Sequence, residues 1–213
     1  MSSVYYSLYD DKLVVNRIRQ KLPHLFQLAE LESQRSGKIG MEVGSIRERI
    51  LVALLMYKYG LDDVDPDVPI TEPETDVYVK GEPLSIKTVT SSGNYFNGVK
   101  VSWSVDEETV RQFERRYSPS CDMLLARIKW GGMGQLFLFP KEAQLSVLLN
   151  MGSDKYLKLP KPGTNSRGVE ISKEALGLLV EHELTRKINI RFVREELDYR
   201  EVYVRWLDAW HGL

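Results

Sequence analysis

The chain of 213 residues carries 29 Lys and Arg against 30 Asp and Glu, a net charge of −1, and is 43% apolar. That length suits one large domain, and the composition is that of an ordinary globular chain, not of a disordered tail or a uniformly basic nucleic-acid coat. The longest apolar run, 50–56, falls far short of the roughly 20 residues a bilayer span needs, so no membrane partner is expected.

The opening MSSVYYSLYDD lacks the basic and then apolar order of a secretory signal. Cys121 has no second cysteine for a disulfide or a cysteine-rich zinc site, which suits a cytoplasmic location. Residues 12–34 place Leu13, Ile18, Leu22, Leu25, Leu28 and Leu31 at helical spacing, and Pro23 predicts a broken helix or two short ones. A glycine-punctuated loop spans 37–44. A helix is expected over 45–59, capped by Ser45, stopped at Gly60, and apolar on nearly every side after Ile50, hence central and buried. Residues 61–74, rich in Asp and Pro, read as loop.

A hairpin follows, with strands over 75–79 and 84–90 flanking Lys80-Gly-Glu-Pro83, and then a polar loop, 91–98. Residues 99–105 alternate as a third strand, and Asp106 would cap a charged helix to about Tyr117. Strands over 124–130 and 135–139 surround Gly131-Gly-Met-Gly134. A helix over 141–149, a basic excursion over 155–168, a helix over 172–183, a strand over 188–193 and a closing helix over 195–210 complete the order. This is a mixed α/β (α+β) succession in one domain, 1–213. Its parts are an N-terminal helical region with the glycine-punctuated loop (1–44), a central core (45–140) and a C-terminal part of the same domain (141–213).

The chemistry begins in the hairpin. If its loop is Lys80–Pro83, Val79 pairs with Leu84, and counting outward sets Asp76 opposite Lys87. Directly opposed side chains share a face with Cβ atoms about 4.5–5.5 Å apart. The other face carries Val77, Val79, Leu84 and Ile86, a core stripe. A surface ion pair would look the same. Glu48 adds a second acid. It stands three after Ser45, where it could close a capping box, but it is also in register with Val52 and Leu55 on the apolar helix, where a bare charge is costly. Two carboxylates and a backbone carbonyl, that of Ile86, suit Mg²⁺. Lys87 would hold an attacking water or stabilise charge developing on a phosphate.

An acid, a hairpin and then x-Lys resembles the PD-(D/E)xK nuclease superfamily. The chain departs from that pattern: Pro73 lies three places before the acid, and Ser85 stands where a second acid belongs, so Glu48 would replace it from the helix. The literal Pro66-Asp67 has no acid-x-Lys at hairpin distance. More narrowly, segments 39–48, 73–76 and 85–87 resemble ThaI-type type II restriction endonucleases, which cut CG/CG to blunt ends. That resemblance implies a restriction-endonuclease-like core, a central mixed sheet flanked by helices. It implies Glu48, Asp76 and Lys87 as catalytic residues, Mg²⁺ as cofactor, and a homodimer on a palindromic CGCG duplex. It also implies that Met41 intercalates at a CpG step from the minor groove, where the glycines at 40 and 44 would let backbone approach. A methionine filling a core gap is the plain alternative.

Further DNA contacts are expected from Lys38, from Ser91, Asn94 and Asn97 after the second hairpin strand, and from Lys158, Lys161, Asn165 and Arg167 in the basic excursion. Solvated faces would also explain the basic clusters, including Arg111, Arg115 and Arg116. His24, His182 and His211 have no zinc spacing. Two rivals stay open: a repair or recombination nuclease of the same fold, and a non-catalytic DNA-binding regulator.

Overall fold

The computed structural model of the chain describes residues 3–35, 38–39, 42–69, 72, 74–91, 93, 98–102, 107–160 and 168–212. In chain order come α1 (Tyr6–Asp10), α2 (Lys12–Glu32), β1 (Gln34–Arg35), β2 (Lys38–Ile39), α3 (Val43–Tyr59), β3 (Val64–Asp65), β4 (Val77–Val79), β5 (Glu82–Thr90) and β6 (Val99–Ser102). They are followed by α4 (Glu107–Arg116), β7 (Asp122–Ile128), β8 (Gly132–Phe139), α5 (Lys141–Met151), α6 (Ser153–Tyr156), β9 (Leu157–Lys158), β10 (Val169–Ile171), α7 (Lys173–Glu181), β11 (Arg186–Phe192), a 3-10 turn (Tyr199–Tyr203) and α8 (Val204–His211). No helix among the described residues is long and apolar enough to cross a membrane.

Six strands form a mixed sheet in the order β11-β8-β7-β5-β4-β3, parallel between β5 and β7 and antiparallel elsewhere. A smaller sheet runs β6-β10-β9. Residues Met123–Ile128 of β7 are buried at every position, as a strand covered on both faces must be. Its alternation splits the core. Leu124, Ala126 and Ile128 join α1, α2 and α3 on one face, packing with Phe26, Leu51 and Leu55. Met123 and Leu125 join Phe137, Phe139, α5, α7 and the smaller sheet on the other. The expected architecture of a central mixed sheet flanked by helices is therefore present.

Several local expectations change. α2 is one continuous helix with Pro23 inside it. The backbone bond that Pro23 forfeits is offset by a long buried stripe, Val14, Ile18, Leu22, Phe26 and Ala29. Leu13 and Leu25, expected inside, are exposed. α3 starts at Val43, two residues before Ser45, after Glu42 with no side-chain cap. It is also not buried all round: Leu51 and Leu55 are fully enclosed, but Tyr57 is 60% exposed. The sheet covers only one side of it. Ile50 and Leu54 line an open groove of about 410 Å³ with Ile18, Leu22 and Leu25 of α2.

The closing helix begins late. Asp198 caps the 3-10 turn in a reciprocal box with Glu201, which sets the start of helical structure beyond 195. The short strands β3 and β9, two residues each, fall in segments that read as loop. Around the β7–β8 turn, Gly132 and Gly134 belong to the strand and not to the loop. A Cβ on Gly134 would stand 2.3 Å from the Arg127 carbonyl, so only glycine fits there.

Candidate active site

The hairpin register differs from the expected one. Val79 pairs with Glu82, Tyr78 with Pro83 and Val77 with Leu84. Lys80 at φ 53° and Gly81 at φ 80° make a two-residue turn with both central residues left-handed, the geometry that matches strand twist. Glu82 and Pro83 thus enter β5, and Ser85 instead of Lys87 is the next residue outward to face Asp76. The shift moves one strand by two residues, so every side chain keeps its face. Lys87 becomes a diagonal neighbour, and its long side chain still reaches: Nζ donates to Asp76 Oδ2 at 2.7 Å.

Two more donors meet the same oxygen. The Ile86 N–H approaches Oδ2 at 2.6 Å and the Ser85 hydroxyl at 3.2 Å. Among the described residues, Asp76 Oδ1 receives no such bond. The Asp76 side chain is 32% exposed and that of Lys87 19%. β4 begins at Val77, which pairs with Leu84, so the edge of β5 beyond Leu84 has no strand paired to it among the described residues. Ile86 has the parity of Leu84, whose carbonyl accepts the Asp76 N–H at 2.9 Å. Its own carbonyl therefore turns toward that unpaired edge.

Glu48 comes from the second turn of α3. With the helix starting at Val43, Glu48 is not the third helical residue, and the capping box with Ser45 is removed as its explanation. Burial pushes its pKa up to about 7, with the Lys87 ammonium pulling down and the Asp76 carboxylate pushing up. The helix thus brings a second acid within electrostatic range of the hairpin pair. Asp76 and Lys87 meet at one sheet edge, with Glu48 within electrostatic range of both and the Ile86 carbonyl turned to that edge by strand parity. This oxygen-rich donor set, with one carboxylate oxygen that accepts no hydrogen bond from the described residues and a desolvated second acid, fits a hard divalent cation.

The remaining sequence candidates spread out. Met41, Asn94, Asn97, Lys161, Asn165 and Arg167 lie outside the described residues, as do Gly40, Pro73, Asp106 and the Lys38 side chain. Lys158 pairs with Glu170 at 2.9 Å across β9 and β10, and is 64% exposed. The Ser91 hydroxyl turns inward and accepts Arg127 Nε at 3.2 Å. Arg127 also donates to the Gly93 carbonyl at 3.1 Å, tying the segment after β5 to β7.

Sequence reading passed over Arg127, although a lone arginine inside the apolar run of β7 is itself a signal. It also passed over Glu30. That carboxylate, 4% exposed, accepts Arg47 and Trp130 Nε1 (2.7 Å) on one oxygen and Arg194 (2.6 Å) on the other. Its position four after Phe26 on the buried side of α2 was the available clue.

The chain is similar to known proteins along nearly its whole length. A family model described as restriction endonuclease ThaI matches residues 8–212. A solved structure titled "Restriction endonuclease in complex with substrate DNA" shares 45% sequence identity and superposes with a TM-score of 0.89, covering 99% of this chain and 100% of that one. No curated protein matches.

Proposed function

The chain belongs to the ThaI restriction endonuclease family and is a site-specific deoxyribonuclease, and on that premise we propose that it is a PD-(D/E)xK-type, Mg²⁺-dependent type II enzyme whose active site is Asp76, Glu48 and Lys87. The observation that carries this reading is the convergence of three donors on Asp76 Oδ2 beside the desolvated Glu48. Its DNA partner follows from the matched structure, which holds substrate DNA.

Asp76, Glu48 and the Ile86 carbonyl would hold Mg²⁺. When bound, that ion polarises the phosphodiester and acidifies water. The protein's own part is positioning and charge. The Ile86 N–H, Ser85 and Lys87 fix the Asp76 carboxylate through Oδ2. Lys87, anchored on Asp76, lies where it orients the attacking water or offsets negative charge growing on the phosphate. Burial raises the Glu48 pKa to about 7, and positive charge beside the carboxyl lowers it again and favours the ionised form.

The resemblance to ThaI-type enzymes supports a homodimer cutting CG/CG to blunt ends, with Met41 wedging into a CpG step. Lys38, Asn94, Asn97, Lys158, Lys161, Asn165 and Arg167 are assigned to DNA contact. Ser91 acts indirectly, by holding Arg127, which also bonds the Gly93 carbonyl. A single cysteine, Cys121, suits a cytoplasmic setting, and one domain over 1–213 suits the two-layered core.

A digest of DNA of known sequence with Mg²⁺ tests this, with the ends mapped. Blunt cuts confined to CGCG are expected. Cutting set by DNA structure and not by sequence would replace the reading with a repair nuclease. Binding without cutting across several divalent metals would sink it.

A further inference from the structure

We infer that Glu30 is a positioning residue: together with Arg47 it locks the rotation of α3 and so aims the Glu48 carboxylate at Asp76 and Lys87. The inference rests on the active-site reading above and adds to it a residue that touches neither metal nor DNA.

The buried cluster spans five parts of the fold. Glu30 sits on α2 and Arg47 on α3, one residue before Glu48. Arg47 is 5% exposed, donates to Glu30 through Nη2, and donates through Nη1 to Thr90 Oγ1 at 3.1 Å. Thr90 ends β5, three residues past Lys87. Trp130, in the β7–β8 turn, and Arg194, after β11, complete the set around Glu30, with the Arg194 guanidinium 4.4 Å above the Trp130 ring. Arg47 also lies over the Phe26 ring at 5.8 Å.

The placement bears on the site because of how apolar and ionic contacts differ. Leu51 and Leu55 hold α3 to the sheet without direction, so they resist sliding and turning only weakly. Charge-assisted bonds are directional, and Arg47 makes them to two neighbours at once, α2 and β5. A single residue of rotation turns a helical side chain by about 100°. Misplacing a reacting group by about 1 Å can cost about 10²-fold in rate. Arg47 and Glu48 are consecutive, so fixing one fixes the other's backbone. The same guanidinium refers α3 directly to the strand that carries Ile86 and Lys87.

A purely adhesive role predicts something different, and this separates the two. Buried ion pairs are commonly replaceable by apolar side chains of similar volume without loss of stability. The full-length, metal-free protein is therefore compared as wild type, Glu30→Gln, the paired variant Glu30→Met with Arg47→Met, and Glu48→Gln. Three properties are read: the thermal melt, Mn²⁺ affinity by calorimetry, and single-turnover cleavage of a CGCG duplex.

The paired methionine variant should melt cooperatively near wild type yet bind Mn²⁺ about 10–100-fold more weakly and cut slower by a similar factor. Wild-type affinity and rate in that variant would overturn the inference, since stability alone would then have sufficed. If both Glu30 variants fail to fold, Thr90→Val decides. It severs Arg47 from β5 at an exposed position, and should weaken Mn²⁺ binding by about three-fold or more; no change there would also overturn it. Unaltered Mn²⁺ binding in Glu48→Gln would instead sink the active-site reading itself, so the two failures are distinguishable.

Discussion

Helix α3 touches two charged clusters, and their composition is opposite. Around Glu30 two cations surround one anion, both carboxylate oxygens are occupied, and a tryptophan N–H fills the remaining direction. At the hairpin two anions, Asp76 and Glu48, share one cation, Lys87, and all three donors to Asp76 fall on a single oxygen. The first cluster is buried at its centre, where Glu30 and Arg47 are 4% and 5% exposed, with the half-exposed Arg194 at its rim. The second is open at a strand edge. A cluster whose central carboxylate is fully paired stabilises geometry, although Arg47 Nε finds no acceptor among the described residues. An under-neutralised cluster instead has an affinity left to express, and the negative excess selects a cation.

The largest contrast should come from Asp76→Ala. Cleavage of a CGCG duplex in Mg²⁺ should fall by about 10³-fold or more, while the melt stays at or above wild type because a like-charge neighbour of Glu48 is gone. Glu30→Ala should do the reverse in stability, lowering it by about 3–5 kcal/mol in denaturant titration, since Arg47 is left buried beside an absent partner. If Asp76→Ala unfolds the protein more than Glu30→Ala does, the assignment of one cluster to chemistry and the other to architecture is wrong.

The two clusters were also unequally legible. Asp76 and Lys87 could be paired by counting because strand parity survives a two-residue shift in register, so a wrong turn length still put both on the correct face. The turn itself was misread because Lys80, a residue that rarely takes positive φ, does so here beside Gly81. Glu48 was found through its helical face, yet the helix start that removes its capping role lies at Val43, where no capping side chain marks it. The Glu30 cluster was not legible. Its members stand at 30, 47, 130 and 194, and only the packing of α2, α3 and two strand ends brings them together. Periodicity reveals which face is buried, but a charge on that face does not name its partner.

Glu48 offers a finer test of the open cluster. Its folded pKa, about 7, exceeds its ordinary 4.5 mainly through burial. The folded state therefore favours the proton, and this contribution to stability is fully present below 4.5 and lost as pH rises to 7. In metal-free protein, the stability of wild type relative to Glu48→Gln should decline across that window, and a carboxyl carbon resonance should titrate near 7. A flat difference, or titration near 4.5, would mean that the acid is solvated and no cation is needed to offset its burial.

The smallest effect is expected at Lys158. Its pair with Glu170 spans β9 and β10 with the lysine 64% exposed, so Lys158→Ala should change stability by less than about 1 kcal/mol. The pair costs Lys158 little mobility, and a phosphate can compete for an ammonium so lightly held. As a phosphate contact, Lys158 would contribute one released counterion. Duplex binding measured without metal should then weaken about equally at cognate and non-cognate sequences, and the slope of log affinity against log salt should shrink by about 0.9. An unchanged slope would leave Lys158 as a partner of Glu170 alone and move the phosphate-binding surface away from the β9–β10 edge.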